Sequence, residues 1–193
     1  MQAINKADLL SLEEYEKQRK QIQERIKAHK ETRRLDLDEH ISMFFEDRDT
    51  MWYQIQEMAR AERLFKPEEL QDELDVYNPL IPDGTNLKGT LMIQYDDREV
   101  RLAKLAELVG IEHQFWIQVN GYDKVYAYAD EDLDRSTEDK TSTVHFMRFE
   151  FDDAMIQAWK DGAMVRMGCD HDERPLDEEL PADLYETLVT DFD

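Results

Sequence analysis

The chain has 193 residues, and its 24 basic side chains against 46 acidic ones give a formal net charge of −22. Such acidity excludes a general nucleic-acid or anionic-lipid binder, because both ligands need a basic footprint on the protein. A hydrophobic fraction of 41% supports a folded core, and the length suits a single domain. The one cysteine, Cys169, excludes an internal disulfide and a cysteine-rich metal site.

The first residues, MQAINKADLL, lack the basic start and the apolar run of a signal peptide. No apolar run approaches the roughly 20 residues that a membrane-spanning helix needs. We therefore expect a soluble, cytoplasmic protein that binds neither membranes nor nucleic acid.

Residues 1–86 are predicted to form a helical N-terminal region. Ser11 and Glu14 fit a capping box, and the first helix runs from there to about Arg34 without Gly or Pro. Its apolar stripe is thin and its charge is basic, whereas residues 170–193 are acidic. Two interpretations follow: an internal clamp between the basic helix and the acidic segment, or two solvated faces whose exposed ion pairs contribute little.

A short segment from Leu35 to Phe45 is predicted to be extended, and a second helix follows from about Asp47 to Phe65. Pro67 then suits the first turn of a short acidic helix. Two prolines and the pair Asp83-Gly84 mark the loop that ends this region.

Residues 87–193 are predicted to form an α+β region, and the two regions are expected to make one cooperative domain. Strand-like alternation occurs in LKGTLMIQY, QFWIQV, TSTVHFMRFEF and AMVRMGCD, and Asn120-Gly121 is the preferred pair for a type I′ hairpin turn. REVRLAKLAELVG, DDAMIQAWKDG and PADLYETLVTDF have helical patterns. The first of these helices is expected to bury Val100, Leu102, Leu105, Leu108 and Val109. The predicted class is α+β, with long N-terminal helices packed with a mainly antiparallel sheet of about five strands.

Four long stretches are distinctive: FFEDRDTMWYQIQEMARAE, ELDVYNPLIPDG, ADEDLDRSTEDKTSTVHFMRFE and MGCDHDE. Together they resemble the bacterial domain-of-unknown-function 3501 family, over the chain from about Ala7 to His171. The resemblance implies a setting linked to redox or metal chemistry, with rubrerythrin-like or Fe–S oxidoreductase proteins as partners, and no established activity. The chain departs from the family pattern at Cys169, where isoleucine is more usual, and in an acidic tail beyond His171.

The helix from Asp47 to Phe65 carries the first candidate site. At 3.6 residues per turn, Gln54 and Glu57 fall on one polar stripe beside a broad apolar face. With Glu46 and Arg48 they are the candidate ligand-binding residues at the interface between this helix and the sheet. Burial would raise the pKa of a glutamate there unless a cation held it charged. The alternative is an ordinary amphipathic helix whose acids face water or pair with nearby arginines.

Three histidines form the second candidate site. His145 and His171 lie on the apolar faces of two predicted strands, and His40 precedes the second helix. If those faces point inward, with Asp170 nearby, two or three imidazoles and a carboxylate would suit Fe(II), Mn(II) or Zn(II). The spacing matches no established metal motif. Satisfied structural histidines and acid–base roles therefore stay open as alternatives.

Three functions fit these patterns. The lead hypothesis is an accessory protein of a redox- or metal-linked pathway that binds a metal ion or a small ligand between the second helix and the sheet. The first alternative is a metal-dependent iron or manganese oxidoreductase, although no GxGxxG, Walker or GxSxG motif favours an enzyme. The second is a structural or protein-interaction module without a site, including a homo-oligomer joined through its N-terminal helix.

Overall fold

The computed structural model describes residues 2–64 and 66–192, so the predicted helix end at Phe65 lies outside the described residues. The described helices are α1 (Leu12–Glu31), α2 (Arg48–Glu62), α3 (Pro67–Tyr77), α4 (Arg98–Glu107), α5 (Asp153–Lys160) and α6 (Ala182–Val189). The described strands are β1 (Arg34–Asp36), β2 (Ile41–Glu46), β3 (Asn86–Ile93), β4 (Phe115–Val119), β5 (Val125–Tyr126), β6 (Tyr128–Ala129), β7 (Val144–Glu150), β8 (Val165–His171) and β9 (Arg174–Glu179). Short 3₁₀ turns occupy Lys6–Asp8, Asn78–Leu80, Ile111–His113 and Thr190–Phe192.

These strands form two antiparallel sheets. The first sheet has the order β1-β2-β3-β7-β6, and the second has the order β5-β4-β8-β9. The α+β class is thereby confirmed, but the strands outnumber the about five expected. Strand β9 escapes prediction because its sequence, RPLDEE, is charged and contains a proline. Strands β5 and β6 have two residues each, too few to show alternation.

The two sheets share one hydrophobic core. Met43 and Phe149 of the first sheet belong to the same buried cluster as Ile117 and Met167 of the second. Trp159 of α5 is fully buried in that cluster. Along β3 and β7 buried and half-buried residues alternate, so each strand has one face in this core and one outer face. The outer face of the first sheet positions the site described below.

The N-terminal helices begin where the sequence predicts. The Ser11 side chain accepts a hydrogen bond from the Glu14 backbone N–H, and Glu14 completes the capping box of α1. Asp47 caps α2 in the same way through Thr50. These helices pack on a small core of their own around the fully buried Tyr15. Residues 34–36 and 41–46 of the N-terminal region nevertheless join the first sheet, which links the two predicted regions.

Helix α4 buries a narrower stripe than expected. Leu105 and Leu108 are buried, but Val100 and Leu102 are 46% and 47% exposed. Val100 lies on nearly the opposite side of the helix from Leu105 at 100° per residue. The predicted inward positions are therefore right for Leu105 and Leu108 and wrong for Val100, Leu102 and Val109, the last of which is 36% exposed.

The expected hairpin is present as β4 and β5, with Ile117 opposite Val125. Its connection is longer than a two-residue turn and runs from Asn120 to Lys124. Gly121 has φ of 92°, whereas Asn120 does not adopt a positive φ. Because a type I′ turn needs positive φ at both central residues, the turn type predicted from Asn120-Gly121 is wrong.

One contact of the predicted clamp is present. Arg33, just after α1, forms a buried ion pair with Asp191 in the acidic segment. Arg33 also lies 3.4 Å from Asp47, whose Oδ2 atom lies 2.6 Å from Nε2 of His29. The start of α2 is thus tied both to the end of α1 and to the segment that follows α6.

Candidate functional site

A groove of about 500 Å³ lies on the outer face of the first sheet, beside α3. We call it the outer groove. Its apolar lining includes Val76, Leu80 and Phe146, and its polar lining includes Lys88 and Arg148. The size falls within the range of pockets that bind small molecules. Three carboxylates also line the groove, those of Asp75, Glu131 and Asp132.

Lys88 is the central cation of the outer groove. Its side chain leaves the outer face of β3 and donates to the carbonyl oxygens of Pro79 and Ile81, at 2.5 and 3.0 Å. Burial lowers the pKa of Lys88 from its ordinary value. An ammonium has three donors, and these two bonds are the only ones found for it among the described residues, which leaves one donor for a ligand.

Arg148 forms the opposite wall. It binds Glu131 through two parallel hydrogen bonds of 2.8 Å, and it lies 2.5 Å from Glu150. Its guanidinium also sits 4.4 Å from the ring centre of Tyr128, which is 55% exposed. The hydrogen bond to Glu131 is the largest of the effects that raise the pKa of Arg148. The Arg148 side chain is therefore held in place by ion pairs with two carboxylates, whereas Lys88 binds only carbonyl oxygens among the described residues.

The loop after β6 carries the acidic rim of the outer groove. Arg135 binds Asp132 with two bonds of 2.7 Å and lies 4.5 Å above the ring of Phe146. Asp130, at the start of this loop, adopts a left-handed backbone with φ of 52°. Such a conformation is uncommon outside glycine and needs support from its surroundings.

That support comes from His145, on the opposite, buried face of β7. Nδ1 of His145 lies 2.6 Å from Oδ2 of Asp130. Nε2 lies 2.9 Å from the Thr141 hydroxyl and 3.2 Å from the carbonyl oxygen of Ser142. Both ring nitrogens of His145 thus have oxygen atoms within hydrogen-bond distance, and the ring is held between the start and the end of the loop.

Glu112 completes the buried network. The Thr141 hydroxyl accepts from His145 and donates to Glu112 at 2.9 Å. Burial acts to raise the pKa of Glu112, but hydrogen bonds from Ser136 and Thr141 outweigh it and lower that pKa. His145 is thus linked directly to Asp130, and through the Thr141 hydroxyl to Glu112. The network anchors both ends of the loop between Asp130 and Thr141.

Glu57, predicted to bind a ligand, points instead to α1. Oε1 of Glu57 accepts from the Tyr15 hydroxyl at 2.6 Å, and both carboxylate oxygens bind Arg19. The hydrogen bond from Arg19 is the main cause of the lowered pKa of Glu57. Arg60 adds a weaker contact at 3.9 Å. Glu57 thus follows the alternative in which the acids of α2 pair with arginines, and its main partner, Arg19, lies on the neighbouring helix α1.

The other residues predicted on α2 have separate partners. Glu46 accepts from the Thr90 hydroxyl at 2.6 Å, and Arg48 donates to Asp8 at 2.8 Å. Gln54 is half-buried and makes no side-chain hydrogen bond within the described residues. The structure therefore does not bring these three residues and Glu57 together at one cavity.

The predicted histidine ligands also have different partners. Nδ1 of His40 lies 3.0 Å from the carbonyl oxygen of Gln94, and Nε2 of His171 lies 3.3 Å from that of Val109. His145 pairs with Asp130 rather than with Asp170. Across residues 2–64 and 66–192, no group of three or more His, Cys, Asp or Glu side chains could hold a metal ion.

Asp170 belongs to a surface cluster on the second sheet. It accepts from Trp116, Lys124 and Tyr126 at 2.9, 2.7 and 2.6 Å. The bonds from Lys124 and Tyr126 are the leading causes of its lowered pKa. The neighbouring Cys169 is buried, which raises the pKa of its thiol to about 11. A thiol with so high a pKa is a poor nucleophile at neutral pH.

Sequence reasoning missed the outer groove. It selected buried and helical residues, whereas Lys88, Phe146 and Arg148 are half-buried residues on the outer faces of β3 and β7. The signal was available in part: LKGTLMIQY and TSTVHFMRFEF place a cation and an aromatic ring on their polar faces. The position of α3 opposite those faces could not be read from the sequence.

The described residues form an α+β protein with two antiparallel sheets, and the outer groove between α3 and the first sheet has the size of a small-molecule site. The profile of the protein-of-unknown-function family DUF3501 matches residues 3–192, and the chain belongs to that family. A similar crystal structure, at 1.90 Å resolution, is that of a novel protein of unknown function from Burkholderia pseudomallei K96243. It is 44% identical, both chains are covered completely, and the TM-score is 0.94. No curated protein matches the chain. Among the described helices, none has the length and apolar character that crossing a membrane requires.

Proposed function

We propose that the protein is a binding protein for a small amphipathic molecule that occupies the outer groove. The observation that carries this proposal is Lys88, a half-buried ammonium with one donor left over, beside the apolar side chains of Val76, Leu80 and Phe146. An apolar or aromatic body would cover these side chains. A carboxylate, sulfonate or carbonyl oxygen would accept the third Lys88 hydrogen bond.

The walls of the groove support binding rather than bond chemistry. Arg148 and Glu131 satisfy each other, and Asp132 is held by Arg135. The buried network around His145 fixes the start of the loop that presents Glu131 and Asp132. These residues pre-organise the shape of the groove, which reduces the entropy lost when a ligand binds.

Binding of 8-anilinonaphthalene-1-sulfonate tests the proposal, because this probe joins an aromatic body to one sulfonate. Its fluorescence should rise with a single saturable site on the folded protein. Val76→Asp places a charge on the groove wall at a residue that is 61% exposed, so the fold should survive and affinity should fall about tenfold. Lys88→Met should weaken binding by a similar factor.

Two matched variants serve as controls. Val100→Asp makes the same exchange on α4, where Val100 is also exposed, and Lys6→Met removes an exposed cation. Both should bind the probe like the wild type. Equal losses in test and control variants, or probe-induced amide shifts that map outside the outer groove, would overturn the proposal.

The wider role remains a proposal as well: a cytoplasmic accessory protein in the redox- or metal-linked setting that the family resemblance implies. A rubrerythrin-like or Fe–S oxidoreductase protein would then be the partner. Elemental analysis of protein purified without a histidine tag tests the metal part of this role. Iron, manganese or zinc at one ion per chain would support it, and a metal-free protein whose melting temperature ignores all three ions would contradict it.

A further inference from the structure

A second concave surface has a basic rim, although the chain as a whole is acidic. It is a cleft of about 260 Å³ between α1, α2 and the outer face of β2. We call it the basic cleft. Its apolar part is formed by Ile26, Phe44 and Tyr53, and its cationic rim by Lys27 and Lys30. Glu31 contributes the one carboxylate of the lining.

The lysines of this rim are not neutralised by partners. Lys27 and Lys30 form no ion pair within the described residues, and neither does Lys20, which lies two helical turns before Lys27 on the same side of α1. The whole chain, these lysines included, carries a formal net charge of −22. At about 0.15 M ionic strength, fields are screened beyond roughly 8 Å, so a ligand in contact with this rim experiences mainly the local lysines.

The floor of the basic cleft is aromatic. The Phe44 ring is half-buried and lies 5.3 Å from the guanidinium carbon of Arg34, its cross-strand neighbour. Arg34 forms an ion pair with Asp36 at 2.7 Å, which neutralises its charge locally. Its guanidinium plane therefore serves mainly to extend the surface beside the Phe44 ring. Tyr53 closes the other side. An apolar side chain entering the cleft would therefore be covered by rings and flanked by ammonium groups.

We infer that the basic cleft is the docking site for an acidic segment of a partner protein that carries an aromatic or large aliphatic side chain. Lys20 and Lys30 are ten residues apart, which is about 15 Å along a helix. An extended segment of about five residues spans that distance, whereas a compact small anion would leave part of the row uncovered. The inference is independent of the outer groove, since the two surfaces share no lining residue.

The test uses a fluorescein-labelled peptide of sequence EDEFDED and fluorescence anisotropy on the full chain at about 0.15 M salt. The wild type should bind it. A peptide with alanine in place of the phenylalanine, and one with lysines in place of the acids, should both bind more weakly. The double variant Lys27→Gln/Lys30→Gln should lose about fivefold or more in affinity, as expected for two ion pairs.

A matched variant separates docking from general charge attraction. Lys6→Gln/Arg25→Gln removes the same charge at two exposed cations outside the basic cleft and should keep wild-type affinity. Equal losses in the two double variants, equal binding of the phenylalanine and alanine peptides, or tighter binding of a single-stranded oligothymidine than of the peptide would overturn the inference.

Discussion

Glu57 of α2 and Arg19 of α1 form a two-point ion pair, with Nε to Oε1 at 2.8 Å and Nη2 to Oε2 at 2.9 Å. The Tyr15 hydroxyl donates to the same carboxylate. Planar bidentate pairs of this kind are stronger and more specific than single contacts. Glu57 therefore ties α2 to α1 within the helical layer.

Glu57→Gln should lower the free energy of unfolding by about 1–2 kcal/mol at neutral pH, because Arg19 and Tyr15 lose a charged acceptor. Arg19 lowers the pKa of Glu57 below 4.5 in the folded state. Its stabilisation is thus complete above about 4.5 and is lost as pH falls through the lowered folded value. Urea unfolding of both proteins should show a difference that shrinks towards acid. Glu16→Gln, at an exposed contact 4.0 Å from Arg60, is the control and should change little.

His145→Ala should destabilise the fold by about 3 kcal/mol, because it leaves buried polar atoms of Asp130 and Thr141 without their hydrogen-bond partner. We also expect weaker probe binding in the outer groove, since the loop that carries Glu131 loses its anchor. His113→Ala is the matched control, as His113 is 63% exposed. Similar losses for both variants would show that His145 has no anchoring role.

Asp191 should titrate near pH 6 in the folded protein, because burial raises its pKa to about 6 against the opposing charge of Arg33. The folded state then keeps a proton that the unfolded state releases near 3.8. Between these values, stability should fall as pH rises, by up to about 1.4 kcal/mol per pH unit. Carboxyl ¹³C NMR gives the titration directly. Asp191→Asn should remove this part of the pH dependence, and an unchanged slope would contradict the assignment.

Gly168→Ala should be strongly destabilising, by about 3 kcal/mol or more. A Cβ atom there would lie 2.2 Å from the Leu176 carbonyl oxygen and 2.4 Å from the Trp116 ring. Gly89→Ala is the comparison, since its closest neighbour is the flexible Met43 sulfur at 2.7 Å. Melting temperatures should rank the wild type first, Gly89→Ala second and Gly168→Ala last. The reverse order of the two variants would show that β8 can move away from β9.

Local signals were enough to predict the helix starts at Ser11 and Asp47, since a cap is decided by a few neighbouring residues. The same holds for the alternation of β3 and β7. His145 was also correctly placed on a buried face. Its partner, Asp130, was not predictable. Asp130 itself adopts the left-handed backbone conformation, and it begins an acidic loop whose sequence is typical of a solvated segment.

The outer groove lay beyond sequence reasoning for a different reason. Its lining combines α3, β3, β6 and β7, which come from distant parts of the chain. Only the antiparallel register places Lys88 opposite Arg148. Likewise, helical periodicity correctly placed Glu57 on a polar stripe of α2. Its pairing with Arg19 was not predictable, because that pairing depends on how α1 and α2 cross.

The buried pair of Arg33 and Asp191 has a consequence for how the protein is made. The two residues are 158 positions apart, so the ribosome must add all of the intervening chain before the guanidinium meets its carboxylate. Until then the partners of Arg33 are the carbonyl oxygens of Phe45 and Glu46 and the Asp47 carboxylate. The contact that joins the helical layer to the segment after α6 is therefore expected to form late in folding, because it closes a loop far longer than those of the other Arg33 contacts.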